Sequence, residues 1–167
     1  MAVDDLVVTR WGVRFLGRRF PAVVGRGGIS AAKREGDGAT PAGILRIVGM
    51  LYRPDRISGS GLPRWAQPIL PGDLWSDDPA DSRYNHAVRV PHRFSHEDLR
   101  RGDPLYDLVL VTDWNYPVAV PGKGSAIFLH RWRRPRYPTA GCIAFAPEDL
   151  AWIATRVQFG TRVIVRN

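Results

Sequence analysis

Seventeen glycines and fourteen prolines interrupt a chain of 167 residues, and a long helical bundle does not tolerate that density. Glycine inside a helix costs backbone entropy, and proline removes a hydrogen bond and clashes with the preceding turn. What remains is a series of short segments between turns. "LVVTR" (6–10), "VRFLG" (13–17), "RRFPAVVG" (18–25) and "GILRIVGML" (43–51) are rich in β-branched and aromatic residues, which suit a half-buried pleated surface. "YDLVLVTDW" (106–114), "SAIFLH" (125–130), "CIAF" (142–145) and "TRVIVR" (161–166) continue the series. Arg53 to Tyr84 reads as a long ordered loop, either functional or hiding short elements.

Two helices are expected in this β-rich chain. Ser95, with Asp98 three residues on, resembles a capping box for a short helix ended at Gly102. The second begins at Pro147, a residue suited to a first helical position, with Glu148 and Asp149 where the helix dipole favours acids. Leu150, Ile153, Ala154 and Val157 give it one apolar stripe, and Gly160 is its stop.

The length suits one domain, 1–167, with one core, and 44% apolar against 24% charged residues is ordinary for a soluble globular chain. No repeat or low-complexity segment is present, and no stretch approaches the roughly 20 apolar residues of a membrane span. "MAVDDLVVTRWGVRF" has two early aspartates and no apolar h-region, so it does not read as a signal peptide. If Met1 is the true start, a cytoplasmic protein is expected; if the protein is exported, periplasm or cell envelope. The net charge of +8 suggests a polyanionic partner or simply a solvated basic surface, with its densest patch at Arg131, Arg133, Arg134 and Arg136.

The chain's one cysteine, Cys142, lies twelve residues after His130 (142 − 130 = 12). Packing is the commoner fate of a lone cysteine. The other reading is a nucleophile. A thiol with a pKa of about 8.5 is little ionised at neutral pH, and a nearby imidazole can take its proton while arginines favour the anion. Gly141 would let the backbone of such a nucleophile turn approach a substrate closely. No Cys/His cluster has zinc-ligand spacing, so no metal is expected.

Two stretches sharpen this choice. "KREGDGATPAG" (33–43) carries Lys33, Gly36, Asp37, Gly38, Thr40, Pro41 and Gly43, and "GKGSAIFLH…PTAGCIAF" (122–145) carries the histidine and a Thr–x–Gly–Cys turn. Together they resemble the L,D-transpeptidase catalytic domain family, as do "WSDDPADSRYN" (75–85) and "LYDLVLVTDWN" (105–115).

The resemblance implies a mainly β fold, a β-sandwich-like domain with mixed sheets and one or two short helices. It implies a cysteine acyltransferase of peptidoglycan stem peptides. The bond attacked would join the third residue of the stem to the D-alanine in fourth position, through a Cys thioester and with no cofactor. Carried over, Cys142 is the nucleophile, His130 the general base, and Gly141 shapes the turn whose backbone N–H groups form the oxyanion hole. Thr139 occupies the family's Ser/Thr position and helps orient the site. Ala140 and Ala144 stand where many members carry histidine and arginine, so Arg136 or a neighbouring arginine is expected to hold the substrate carboxylate. Trp75, Asp77, Tyr84 and Asn85 would line the cleft or pack in the core, with Tyr84 as a substrate-binding residue.

The partners implied are stem peptides or muropeptides, acting on a monomer and without nucleic acid. The same residues would serve a cytoplasmic L,D-carboxypeptidase that releases D-alanine from tetrapeptides, because only the final acceptor differs. A non-catalytic basic binding module is the remaining alternative. No side chain in the sequence marks itself as the group that orients His130, a task a backbone carbonyl can perform.

Overall fold

The computed structural model describes residues 4–167. Its elements in chain order begin with β1 (Leu6–Thr9), β2 (Gly12–Phe15), β3 (Arg18–Phe20), β4 (Ala22–Val23), β5 (Ile29–Ser30) and β6 (Thr40–Pro41). The middle of the chain supplies β7 (Gly43–Tyr52), β8 (Ala66–Pro68), β9 (Asp73–Ser76), β10 (Ala87–Arg89), β11 (His96–Asp98) and β12 (Leu108–Thr112). Then come β13 (Phe128–Arg131), β14 (Ile143–Phe145), α1 (Pro147–Ala154) and β15 (Arg162–Val165).

The main sheet runs in the order β3-β2-β1-β15-β7-β12-β13-β14-β4, with β8 beside β7. It is mixed: β1 with β15, β13 with β14 and β7 with β8 are parallel, and the other pairs are antiparallel. The two ends of this path are neighbours in sequence, since Phe20 ends β3 and Ala22 begins β4. Pro21 between them has no N–H to give a ladder, so the chain leaves one edge there and joins the other. The sheet therefore curls round on itself. The long strand β7 serves both halves, pairing with β15 through Gly43–Arg46 and with β12 further on. A bulge between Val111 and Thr112 shifts the register within the β7–β12 pair, where Val111 faces Gly49 and Thr112 faces Ile47.

The curled sheet encloses the larger core. Leu6, Val8, Val13 and Phe15 from one half meet Leu110, Leu129, Ile143 and Phe145 from the other, the layered contact of a sandwich. α1 closes it with Leu150, Ile153 and Ala154; Pro147 begins the helix, with Glu148 and Asp149 in the first turn. The helix ends at Ala154, short of the expected stop at Gly160, and Val157 completes the apolar stripe from the turn that follows. A smaller core lies on the opposite face of β12 and β13. There Val109, Val111 and Phe128 pack against Trp75 and Leu99 of the three-stranded sheet β10-β9-β11 and its flank.

Several expectations are corrected. Residues 95–102 form no helix: His96–Asp98 is a strand on β9, pairing Glu97 with Trp75. A helix of two turns gains little alone, whereas extended backbone turns Glu97 and Leu99 to one side, and Leu99 is buried there. The long loop does contain short elements, β8 and β9. Ser125–Ile127 lies outside β13, and Ala126 has a φ of 51°, left-handed and incompatible with a strand. Among the described residues no helix is long and apolar enough to cross a membrane.

Candidate active site

Strand alternation makes the first selection. Leu129, Ile143 and Phe145 point into the larger core, so Phe128, His130, Cys142 and Ala144 face the other way. In the parallel pair of β13 and β14, His130 stands opposite Ala144, two residues beyond Cys142. His130 and Cys142 thereby open onto one cleft of about 470 Å³, whose wall includes Glu97, Tyr106, Thr139 and Arg133.

Cys142 is held at the cleft's inner end. Its thiol donates to the Ala126 carbonyl at 3.0 Å and accepts the Phe128 N–H at 3.4 Å. Burial pushes the thiol up to about 12; the Glu97 carboxylate adds to the rise, and the Phe128 amide and the Lys33 ammonium offset only part of it. Burial also brings His130 down to about 4, against the pull of a backbone hydrogen bond. That bond joins Nδ1 to the Arg131 carbonyl at 2.6 Å. A carbonyl only accepts, so Nδ1 carries the proton and Nε2 is left as the basic atom. The resting pair is thus neutral thiol and neutral imidazole, not the thiolate–imidazolium pair that flanking arginines suggest from sequence.

The turn before Cys142 is built by two threonines. Thr139 Oγ1 donates to the Cys142 carbonyl at 2.6 Å and accepts the Gly141 N–H at 3.1 Å. Thr40, fully buried, donates to the Gly141 carbonyl at 2.8 Å and accepts the Gly25 N–H at 2.9 Å. Gly141 has a φ of 145°, and a β-carbon there would lie 3.0 Å from the Ala39 carbonyl oxygen. Gly25 is tighter: a β-carbon would come within 2.1 Å of the Gly38 oxygen. The 33–43 segment is therefore the floor beneath the turn that precedes Cys142, a role beyond tight-turn chemistry.

That floor is itself braced. Lys33, buried, donates to Asp37 at 2.7 Å, and Asp37 also accepts the Arg34 and Ala39 amides. Burial works to raise the Asp37 carboxyl, but Lys33 and the two amides hold it below its ordinary value. Tyr84 and Ser125 both donate to Glu35, and the Gly124 amide donates to Tyr84. Asn85 Oδ1 accepts the Ala126 N–H at 2.9 Å and the Trp75 indole N–H at 3.0 Å, while its Nδ2 donates to the Trp114 and Asn115 carbonyls. Asn85 thus fixes the strained residue whose carbonyl receives the thiol.

Of the residues singled out in the sequence, Cys142, His130, Gly141 and Thr139 come together. Tyr84 does not line the cleft; it is buried and links Glu35 to Gly124. Trp75 and Asn85 are likewise buried in support. Arg136 lines a neighbouring groove instead, its backbone at a φ of 63°, and Arg26, Arg101 and Arg133 are the arginines of the cleft. Arg101 grips Asp103 with two hydrogen bonds, of 2.9 and 2.7 Å.

Sequence reasoning missed Glu97 and Tyr106. The Tyr106 hydroxyl donates to Glu97, and its ring meets His130 edge-on at 5.3 Å. Burial raises the Glu97 carboxyl, against the stabilising hydrogen bond from Tyr106. The signal was the alternation of Glu97 and Leu99, hidden behind an apparent capping box. Among the described residues no group of three or more His, Cys, Asp or Glu side chains is placed to hold a metal ion.

The sequence model of the L,D-transpeptidase catalytic domain, YkuD, matches residues 6–165. No curated protein is similar enough to this chain to match it. A solved structure, the L,D-transpeptidase from Mycobacterium smegmatis, aligns with 97% of this chain and 58% of its own, at 15% identity and a TM-score of 0.45. The chain thus spans 58% of that relative's length.

Proposed function

This chain belongs to the L,D-transpeptidase catalytic domain family, and on that premise we propose that residues 1–167 form one cysteine acyltransferase domain acting on peptidoglycan stem peptides. The observation that carries the proposal is the shared cleft, which Cys142 lines together with a histidine whose Nδ1 is tied down and whose Nε2 is left to accept a proton.

A neutral resting pair implies proton transfer during attack rather than before it. Cys142 Sγ adds to the carbonyl carbon of the stem's third residue, the one bonded to the terminal D-alanine. As it does so, its proton leaves the Ala126 carbonyl for His130 Nε2. The substrate carbonyl becomes an oxyanion. The Gly141 N–H is already held by Thr139, so the Cys142 amide is the donor this turn can offer. Collapse breaks the C–N bond, and the imidazolium returns its proton to the departing D-alanine amine. A thioester on Cys142 remains. An acceptor amine, deprotonated by His130, attacks it, expels the thiolate and forms the new amide; the proton returns to sulfur. Arg26 and Arg133 supply guanidiniums for a substrate carboxylate, since Arg101 is occupied by Asp103.

The test is incubation of the protein, and of Cys142→Ala, with a disaccharide tetrapeptide, alone and with an acceptor stem, followed by mass spectrometry. A cysteine-dependent cross-linked dimer is expected. Loss of D-alanine without a dimer would replace the transferase by a carboxypeptidase. No cysteine-dependent product would overturn the enzyme reading.

A further inference from the structure

Beside the cleft runs a second and larger groove, of about 1170 Å³, whose wall among the described residues includes no acid. Arg10, Arg19, Arg26 and Arg136 line it, with two tryptophans. Trp11 stands in the two-residue turn between β1 and β2 and is 80% exposed. Its backbone N–H is held by Thr9 Oγ1 at 3.2 Å, and the Arg10 guanidinium lies 4.4 Å from its ring centre. Trp132 is half-buried on the other loop that shapes the groove.

An indole left this exposed keeps a large apolar surface in water, and such patches mark binding sites. Flat apolar faces beside guanidiniums suit rings that stack and carry carboxylates: the C–H face of a pyranose covers an indole, and arginine pairs with acid groups in two-point fashion. Continuity selects among ring-bearing polyanions. Arg26 and Pro138 belong to both the groove and the Cys142 cleft, so one ligand can pass from the first to the second. A stem peptide in the cleft leads back to the sugar from which it hangs.

Resting on the stem-peptide reading above, we propose that this groove binds the glycan strand that carries the stem, by stacking on Trp11 and Trp132 and by pairing its arginines with the lactyl carboxylates of neighbouring sugars on the strand that bear no stem. The cleft then holds the reacting peptide, and the groove holds the polymer in register with it.

The experiment is titration of Cys142→Ala protein with glycan strands freed of their stems, whose lactyl carboxylates are exposed, read by calorimetry. Oligothymidylate of similar length is the competing probe. Strand binding is expected, weakened at least tenfold by Trp11→Ala and by Arg19→Gln. Both side chains are at the surface, so unchanged melting midpoints will show that the fold is intact. Strand affinity untouched by both substitutions, or no strand binding at all, overturns the proposal. Equal or tighter oligothymidylate binding, lost in the same variants, makes the groove a nucleic-acid site and also overturns it. The wild-type reaction on a free tetrapeptide is measured in parallel. Product there without strand binding refutes the groove alone; strand binding without product refutes the reaction and leaves the groove standing.

Discussion

Thr40→Val isolates the link between the 33–43 segment and the Gly141–Cys142 turn. Valine keeps the shape of threonine and removes the hydroxyl. In the wild type that hydroxyl is fully buried, donates to the Gly141 carbonyl and accepts the Gly25 N–H. The substitution leaves a buried donor and a buried acceptor without partners. Each such group costs about 1–3 kcal/mol, so the variant should lose roughly 2–6 kcal/mol. For a chain of this size, about 2–4 °C of melting temperature accompanies each kcal/mol, predicting a fall of roughly 4–24 °C. Scanning calorimetry reads the stability, and cysteine-dependent product formation reads the site. Gly141 loses its anchor, so the rate should drop at least tenfold even where the variant is fully folded. Thr40→Ser, which keeps the hydroxyl, should recover most of both. A melting temperature within about 2 °C of wild type, less than 1 kcal/mol should cost, together with an unchanged rate would refute the argument that this hydroxyl builds the turn.

The thiol at about 12 predicts that alkylation of Cys142 by iodoacetamide rises nearly tenfold per pH unit from about 7 to 10; a plateau near neutral pH would mean a preformed thiolate–imidazolium pair. Glu97→Gln removes a negative charge facing the thiol, so alkylation at about pH 8 should speed up several-fold, and no acceleration would deny that the carboxylate acts on sulfur. His130 is brought from 6.5 to about 4 by folding, so the native state disfavours the imidazolium. Its contribution is present above pH 6.5 and is lost as pH falls through 4, by roughly 3 kcal/mol in all. Urea unfolding of wild type and His130→Gln from about pH 7 down to 4 should show a steeper loss for wild type, and parallel curves would refute it. Gly141→Ala places a methyl group 3.0 Å from the Ala39 carbonyl at a φ of 145°, and circular dichroism melts should show a loss of more than about 1 kcal/mol.

Local pattern carried much of this protein. The spacing of glycine and proline excluded long helices, and Pro147 with its two acids and apolar stripe marked the helix that formed. Those features act within a few residues, so they can be read without knowing the fold. Cys142 and His130 were legible because the short motifs around them repeat a known arrangement, and strand alternation then turned both to one face.

Other features depended on segments far apart in the chain. Ser95 and Asp98 satisfy a helix rule locally, yet pairing with β9 made the stretch a strand and brought Glu97 to the cleft. Thr40 meets Gly141 across 101 positions, a contact no periodicity encodes. Four arginines in one loop look alike as letters, but backbone direction sends Arg133 to the cleft and Arg136 to the groove. The sequence singled out Cys142 and His130. The tertiary structure decided their protonation: burial, which only packing creates, raises the thiol against the Lys33 charge and lowers the imidazole against its hydrogen bond to Arg131.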